Sequence, residues 1–151
     1  SKTLNIEIHI LGKIAKNIDT THCITHGAYH RDQFVEKVKD IAPHIGCIFS
    51  IWPETHCHTL TELWAAGLPV MGFNIGAVGD RISKTEAGWT IDQFRVEDIE
   101  CKIAEIRKDP TILEEAKRRT ISWQNAEARR ESCEAMALEY KNIYKQFIRI
   151  N

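Results

Sequence analysis

Residues 48–91 decide the fold, and they read IFSIWPETHCHTLTELWAAGLPVMGFNIGAVGDRISKTEAGWTI. The apolar run Ile45–Ile51 predicts a buried strand, and Thr59–Ala66 predicts a helix that a glycine stops. Pro69–Phe73 predicts a second strand, followed by a glycine-containing loop. Because two strands joined through a helix pair in parallel with a right-handed crossover, we expect Ile45–Ile51 and Pro69–Phe73 to be neighbours in one sheet.

The same alternation continues on both sides of this stretch and predicts an α/β fold, a parallel sheet with helices on both faces, followed by a helical C-terminal tail. In the tail, Asp109 and Pro110 predict a helix cap and a first helical position. The other predicted strands are Leu4–Leu11, which should be buried, His22–Thr25 and Gly88–Ile91. The other predicted helices are Arg31–Ile41, with Phe34, Val35, Val38 and Ile41 on one stripe, Val78–Ser83, and a segment with Ile99, Ile103 and Ile106 on one face. A packed terminal helix is predicted to carry Met136, Leu138, Tyr140, Ile143, Tyr144, Phe147 and Ile148.

Composition excludes several classes of protein. The 151 residues suit one domain, and a net charge of −1 gives no argument for nucleic acid or for an anionic membrane surface. No apolar run approaches the length of a membrane span. The five cysteines are odd in number and scattered, which favours free thiols in a reducing compartment. We therefore expect a cytoplasmic protein.

Glu62 has two interpretations. Thr59–Glu62 fits a capping box, in which the acid bonds the amide of the cap residue. Alternatively, a diphosphate lies at the helix start, where amides and the helix dipole favour negative charge, and Glu62 accepts hydrogen bonds from ribose hydroxyls. Glu54 follows a buried strand at the carboxyl edge of the sheet, where ligands of α/β proteins bind. It is either an exposed loop acid or a carboxylate that holds sugar hydroxyls and stabilises positive charge at an anomeric carbon.

The segment from Glu54 to Val70 resembles the E-x7-E motif of retaining GT-B glycosyltransferases, often called glycosyltransferase family 4 or group 1. The family pattern is E-G-F-G-L-x-x-x-E-A-x-A-x-G-x-P-V. Downstream, Gly76–Asp80 resembles the family's G-G-x-P-E segment and Gly88–Ile91 its G-x-L-V strand. The positions in register with the motif are Glu54, Glu62, Ala65, Gly67, Pro69 and Val70.

This resemblance implies a Rossmann-like half of a GT-B enzyme and assigns roles to individual residues. The chain 1–151 would be the C-terminal domain that binds a nucleotide-diphosphate sugar as substrate, with no cofactor and no metal. Its roles would be Glu54 at the donor sugar as the catalytic residue, Glu62 at the ribose, amides around His58, Thr59 and Leu60 at the diphosphate, His56 near the donor sugar, and Gly27 and Tyr29 in the nucleobase-side loop His26–Tyr29.

The sequence also departs from the family pattern. Thr55 and Cys57 replace two loop glycines, so fewer backbone conformations with positive φ are open there, and Asp80 replaces a glutamate. The family's basic Arg/Lys pair and its N-terminal acceptor domain are expected before Ser1. By this interpretation the isolated chain is inactive, and its partners are the donor and that N-terminal domain.

Other features remain open. His22, Cys23, His26 and His30 cluster, as do His56, Cys57 and His58, but neither cluster has the paired cysteine spacing of a structural zinc site. The basic clusters Lys117–Arg119 and Arg129–Arg130 are solvated helix faces or weak contacts with a membrane surface or partner, which would suit a lipid-linked acceptor.

Two alternative functions stay in view: half of a nucleotide-sugar epimerase, and a non-catalytic nucleotide- or protein-binding module. A dinucleotide oxidoreductase is disfavoured because Gly12 begins no G-x-G-x-x-G. The motif variant is most similar to bacterial surface-polysaccharide enzymes. The sequence names neither the base, the sugar, the acceptor nor the oligomeric state.

Overall fold

The computed structural model describes residues 5–128 and 132–148. Strands and helices alternate along the chain and are followed by three consecutive helices. The strands are β1 (His9–Ile10), β2 (Ile24–Thr25), β3 (Gly46–Ile48), β4 (Val70–Phe73) and β5 (Gly88–Ile91). The helices are a 3₁₀ turn (Arg31–Gln33), α1 (Phe34–Ile41), α2 (His58–Ala65), α3 (Gly76–Thr85), α4 (Val96–Lys108), α5 (Pro110–Ala126) and α6 (Cys133–Ile148).

The strands pair in parallel, as the sequence predicts. β3, β4 and β5 form a three-stranded sheet with β4 in the centre, and β1 pairs with β2 in a two-stranded sheet. Gly46 stands opposite Val70, and Val70 stands opposite Gly88. Helix α2 connects β3 to β4, so the prediction of neighbouring parallel strands with a helical crossover is confirmed.

Helices cover both faces of the β3–β4–β5 sheet. Successive residues of a strand point to opposite faces, and β4 divides its side chains accordingly. Val70 packs in a core with residues of α1, α2, α3 and α5, whereas Met71 and Phe73 pack in a second core with residues of α4 and the start of α5. The prediction of an α/β fold with helices on both faces is confirmed.

Gly88 fixes how closely β5 approaches β4. Its φ is 151°, and a Cβ atom there would lie 1.8 Å from the carbonyl oxygen of Val70. Any other residue would separate the two strands at the point where they begin to pair. The glycine that opens the last predicted strand is therefore a requirement of sheet packing.

In the helical tail the predicted cap at Asp109 and Pro110 is confirmed, but the prediction that the terminal helix is packed is wrong. The Asp109 side chain accepts a hydrogen bond from the Thr111 amide at 3.0 Å, and Pro110 is the first residue of α5. Helix α6 forms, yet its apolar side chains are 47–67% exposed instead of packed. These side chains are Met136, Leu138, Tyr140, Ile143, Tyr144 and Phe147, while that of Ile148 lies outside the described residues.

Two further predictions hold only in part, for the same reason. Within Leu4–Leu11, of which residues 5–11 are described, only His9–Ile10 pair as a strand, and Ile6 and Ile8 are exposed. In the helix predicted from Arg31, Phe34 and Val38 are buried but Val35 is exposed. An apolar residue can be buried only where another element covers it, and periodicity alone does not show which element does.

Candidate functional site

The candidate site lies where loops leave the carboxyl ends of parallel strands. The loop after β3 contains Glu54, and the loop after β4 leads into α3 at Gly76. The two loops touch, because the Ala77 amide donates a hydrogen bond to the carbonyl oxygen of Glu54 at 2.9 Å. Gly76 has φ 52°, and a Cβ there would lie 2.8 Å from that same oxygen. Glycine is therefore required for the start of α3 to reach this loop.

Helix α2 begins one residue earlier than predicted and without a capping box. Its first residue is His58, and the residue before it, Cys57, has φ 62° and ψ 87° in the left-handed region. Thr59 is therefore inside the helix rather than at its cap, and the capping-box interpretation of Thr59–Glu62 is wrong. The sequence indicated that positive φ is harder to reach at Cys57 than at a glycine, yet the chain adopts it there.

Glu62 instead pairs with Arg31 of the 3₁₀ turn and lies near Tyr29 of the loop before that turn. Arg31 Nε donates a hydrogen bond to Oε1 of Glu62 at 2.5 Å. The Glu62 side chain is 19% exposed and that of Arg31 is 70% exposed. Burial raises the pKa of Tyr29, and the negative charge of Glu62 raises it further. The structure thus brings together two predicted site residues, Tyr29 and Glu62, and adds Arg31, which the sequence analysis did not assign to the site.

The Glu54 side chain is partly buried and lies beside the Cys57 thiol. Burial raises the pKa of that thiol, the Leu60 amide lowers it, and Glu54 raises it again. The thiol is therefore protonated at neutral pH and is no nucleophile. Glu54 and Glu62 thus have different surroundings, a neutral thiol for one and an arginine for the other.

The other predicted site residues surround α2 or lie in the loop after β2. His56, His58 and Thr59 are exposed, and the rings of the two histidines are 4.9 Å apart. The Leu60 side chain is fully buried. Gly27 has φ 69° and accepts a hydrogen bond from the Gly12 amide at 2.9 Å.

Arg81 on α3 is a second residue that the sequence analysis did not assign. Its Nη1 donates to the carbonyl oxygens of His56, at 2.8 Å, and Cys57, at 3.2 Å. Its Nη2 donates to Thr61 Oγ1 at 2.9 Å. The one sequence signal for Arg81 is a basic residue in the second turn of a helix that starts at the carboxyl edge of the sheet.

The histidine clusters do not form a metal site in the described part of the chain. Among residues 5–128 and 132–148 no group of three or more His, Cys, Asp or Glu side chains is arranged to hold a metal ion. His26 instead shares a hydrogen bond with His9, Nε2 to Nδ1, at 2.9 Å. Within the same ranges no helix is long and apolar enough to cross a membrane.

Comparison with known families decides the class of protein. The sequence matches the family model of glycosyl transferases group 1 over residues 11–126, which is more than half of the chain. The chain belongs to the group 1 glycosyl transferases. The matched range runs from the residue after β1 to the last residue of α5, so it includes both acids, both arginines and the loops that hold them. No curated protein matches the chain.

Membership of the group 1 glycosyl transferases fits the geometry of the site. The matched region has the parallel α/β fold, and the loops that carry Glu54 and lead to Gly76 leave the carboxyl ends of its strands. This family match supports a function in glycosyl transfer.

Proposed function

We propose that the chain is the donor-binding domain of a retaining glycosyltransferase with GT-B architecture, and that it binds a nucleotide-diphosphate sugar. The observation that carries the proposal is the placement of the two acids around the start of α2, within a chain of the group 1 family. Glu54 lies before the helix and Glu62 lies on it, next to Tyr29 and Arg31.

In this proposal the nucleotide lies along the start of α2. Glu62 accepts hydrogen bonds from the ribose hydroxyls, and the loop with Gly27 and Tyr29 contacts the base. Tyr29 lies close enough to Glu62 for the carboxylate charge to raise the pKa of the phenol. This closeness supports the proposed order, since base and ribose are adjacent in a nucleotide. The diphosphate lies at the helix start, where amides around His58, Thr59 and Leu60 and the helix dipole favour negative charge.

The donor sugar then lies on the Glu54 side, near His56. A carboxylate there stabilises positive charge as it grows at the anomeric carbon, while the helix-start amides stabilise the leaving diphosphate. The Ala77 bond to the Glu54 carbonyl supports this role, because it fixes the backbone that carries the carboxylate. The acceptor, a polysaccharide or a lipid-linked sugar, is bound by a further domain of the same enzyme, in the cytoplasm or at the inner face of the membrane.

Calorimetry tests the donor-binding part of this proposal. UDP, GDP, ADP and TDP are titrated into the chain, and one of them should bind in the high micromolar to millimolar range. Absence of binding by all four nucleotides would reject donor binding by this domain.

Product analysis tests the transferase part and needs the full-length enzyme. The expected product is a new glycosidic bond with the anomeric configuration of the donor, read by NMR. An epimerised nucleotide sugar would instead identify half of an epimerase. Nucleotide binding without any turnover of nucleotide sugars would identify a non-catalytic module.

A further inference from the structure

Three carbonyl groups of the loop before α2 are bonded to one helix, α3. The carbonyl of Glu54 accepts from the amide of Ala77, and those of His56 and Cys57 accept from the guanidinium of Arg81. Four residues of loop are thus held at both of their ends. The amides that open α2 follow directly after this segment, so its conformation sets their direction.

The loop needs such support because Cys57 is in the left-handed region. A residue with a Cβ atom is strained at φ 62°, and such strain persists only where surrounding contacts hold it. The two bonds from Arg81 therefore fall on the peptide groups that flank the strained residue.

Arg81 is itself fixed in position. Its guanidinium carbon lies 5.3 Å from the centroid of the Trp64 ring, a cation–π distance. Trp64 is fully buried, and its Nε1 donates to the carbonyl of Ala87 at 2.9 Å. The second Nη of Arg81 reaches Thr61 Oγ1 inside α2. One planar fork of donors thus joins the loop to the first turn of α2, which a lysine ammonium cannot reproduce.

We infer that Arg81 is a positioning residue for the diphosphate site: it holds the strained turn at Cys57 and thereby aims the opening amides of α2 at the phosphates. The inference rests on the proposed function, since it concerns the same site. In this inference Arg81 acts by holding the loop, through its bonds to the loop carbonyls and to Thr61, and not by binding the nucleotide itself. Replacing Arg81 should therefore weaken the contribution of the phosphates to ligand affinity and leave the contribution of the base unchanged.

The central variant is Arg81→Lys, which keeps the positive charge and removes the fork. The nucleoside diphosphate that the wild type prefers and the corresponding monophosphate are both titrated by calorimetry. We expect the diphosphate affinity to fall about tenfold, the loss expected from one charge-assisted hydrogen-bonded contact. The monophosphate affinity should fall less, so the diphosphate-over-monophosphate ratio should decrease. Arg118→Lys, a change on the exposed surface of α5, is the matched control and should leave both affinities unchanged.

A second variant tests the link to backbone strain. Cys57→Gly removes the Cβ atom that makes positive φ unfavourable, so the turn needs less support. Arg81→Lys should therefore cost less affinity in the Cys57→Gly background than in the wild type, which makes the two changes non-additive. Cys57→Asn, a residue that tolerates the left-handed region and keeps a side chain, should act in the same direction.

Hydrogen exchange gives a readout that needs no ligand. In Arg81→Lys the Ala77 amide, which is hydrogen-bonded to the Glu54 carbonyl of the loop, should exchange faster, whereas the amides of the β4 strand should not change. Unchanged exchange of the Ala77 amide together with an unchanged affinity ratio would overturn the inference. Uniformly faster exchange in all elements would also overturn it, because Arg81 would then only stabilise the fold.

If the wild type binds none of the four diphosphates, the proposed function fails, whereas binding that Arg81→Lys leaves intact rejects the positioning role alone.

Discussion

The amide of Ala77 donates a hydrogen bond to the carbonyl oxygen of Glu54, at 2.9 Å, and so joins the loop after β3 to the first turn of α3. A backbone held in this way limits the positions that the attached carboxylate can take, and so limits reorganisation during a reaction. Such preorganisation is what an electrostatic role at a developing positive charge requires.

Glu54→Gln in the full-length enzyme should lower turnover by about a hundredfold or more, the range seen when one electrostatic group is removed from an active site. The amide keeps the shape of the side chain and removes its charge. An interaction that strengthens in the transition state affects kcat more than ground-state affinity, so nucleotide binding should stay near that of the wild type. Single-turnover sugar transfer at saturating donor measures the effect.

Glu36→Gln, a change at an exposed acid of α1, is the control for Glu54→Gln and should not alter the rate. Equal rates for wild type and Glu54→Gln would show that Glu54 is a bystander.

Glu62→Ala should weaken binding of the preferred nucleoside diphosphate about tenfold, because hydrogen bonds to a charged acceptor are lost. Its melting temperature should change little, since the structure gives the carboxylate one exposed arginine as partner and no helix cap. Calorimetry and thermal unfolding measure the two effects. Arg31→Ala removes the ion pair but keeps the carboxylate, and it should retain most of the affinity. A lower melting temperature for Glu62→Ala with unchanged affinity would assign Glu62 to stability alone.

Trp64→Phe should destabilise the fold by about 1 kcal/mol more than Trp123→Phe, the net value of one hydrogen bond. Both rings are buried and lie 5.2 Å apart. Trp64 Nε1 bonds the Ala87 carbonyl, whereas Trp123 Nε1 finds no partner among the described residues. Urea unfolding of the two variants measures the difference. Equal losses would mean that the Trp64 bond contributes nothing net.

Cys57 should be alkylated more slowly than the exposed Cys101 in the native chain at about pH 8, because burial raises the pKa of its thiol and leaves less thiolate. A thiol pKa raised above its ordinary 9.0 means that the folded state holds the proton more tightly. The stability from this difference is present below that ordinary value and is lost as the pH rises through the folded pKa. Iodoacetamide labelling followed by peptide mass spectrometry checks the rates, which should converge in urea. Rapid native labelling of Cys57 would contradict its burial.

Local signals in the sequence account for much of the fold. The apolar runs before and after α2, the Asp109–Pro110 cap and Gly88 each act over a few residues, and the structure confirms the elements that they predict. The E-x7-E spacing also placed the two acids on either side of a helix start. These features depend on backbone sterics and on burial of a strand between helices, which neighbouring residues largely determine.

Only the tertiary structure decided how the site is held together. Arg31 and Glu62 are 31 residues apart, and Arg81 and His56 are 25 apart, so no periodicity connects them. The same holds for the exposure of the apolar side chains of α6, since a pattern shows which face of a helix is apolar and not what covers it. The left-handed turn at Cys57 is the clearest case. A residue with a Cβ atom disfavours positive φ, so the backbone preference of Cys57 opposes this turn. The conformation exists because contacts from α3, made only in the folded chain, outweigh that preference.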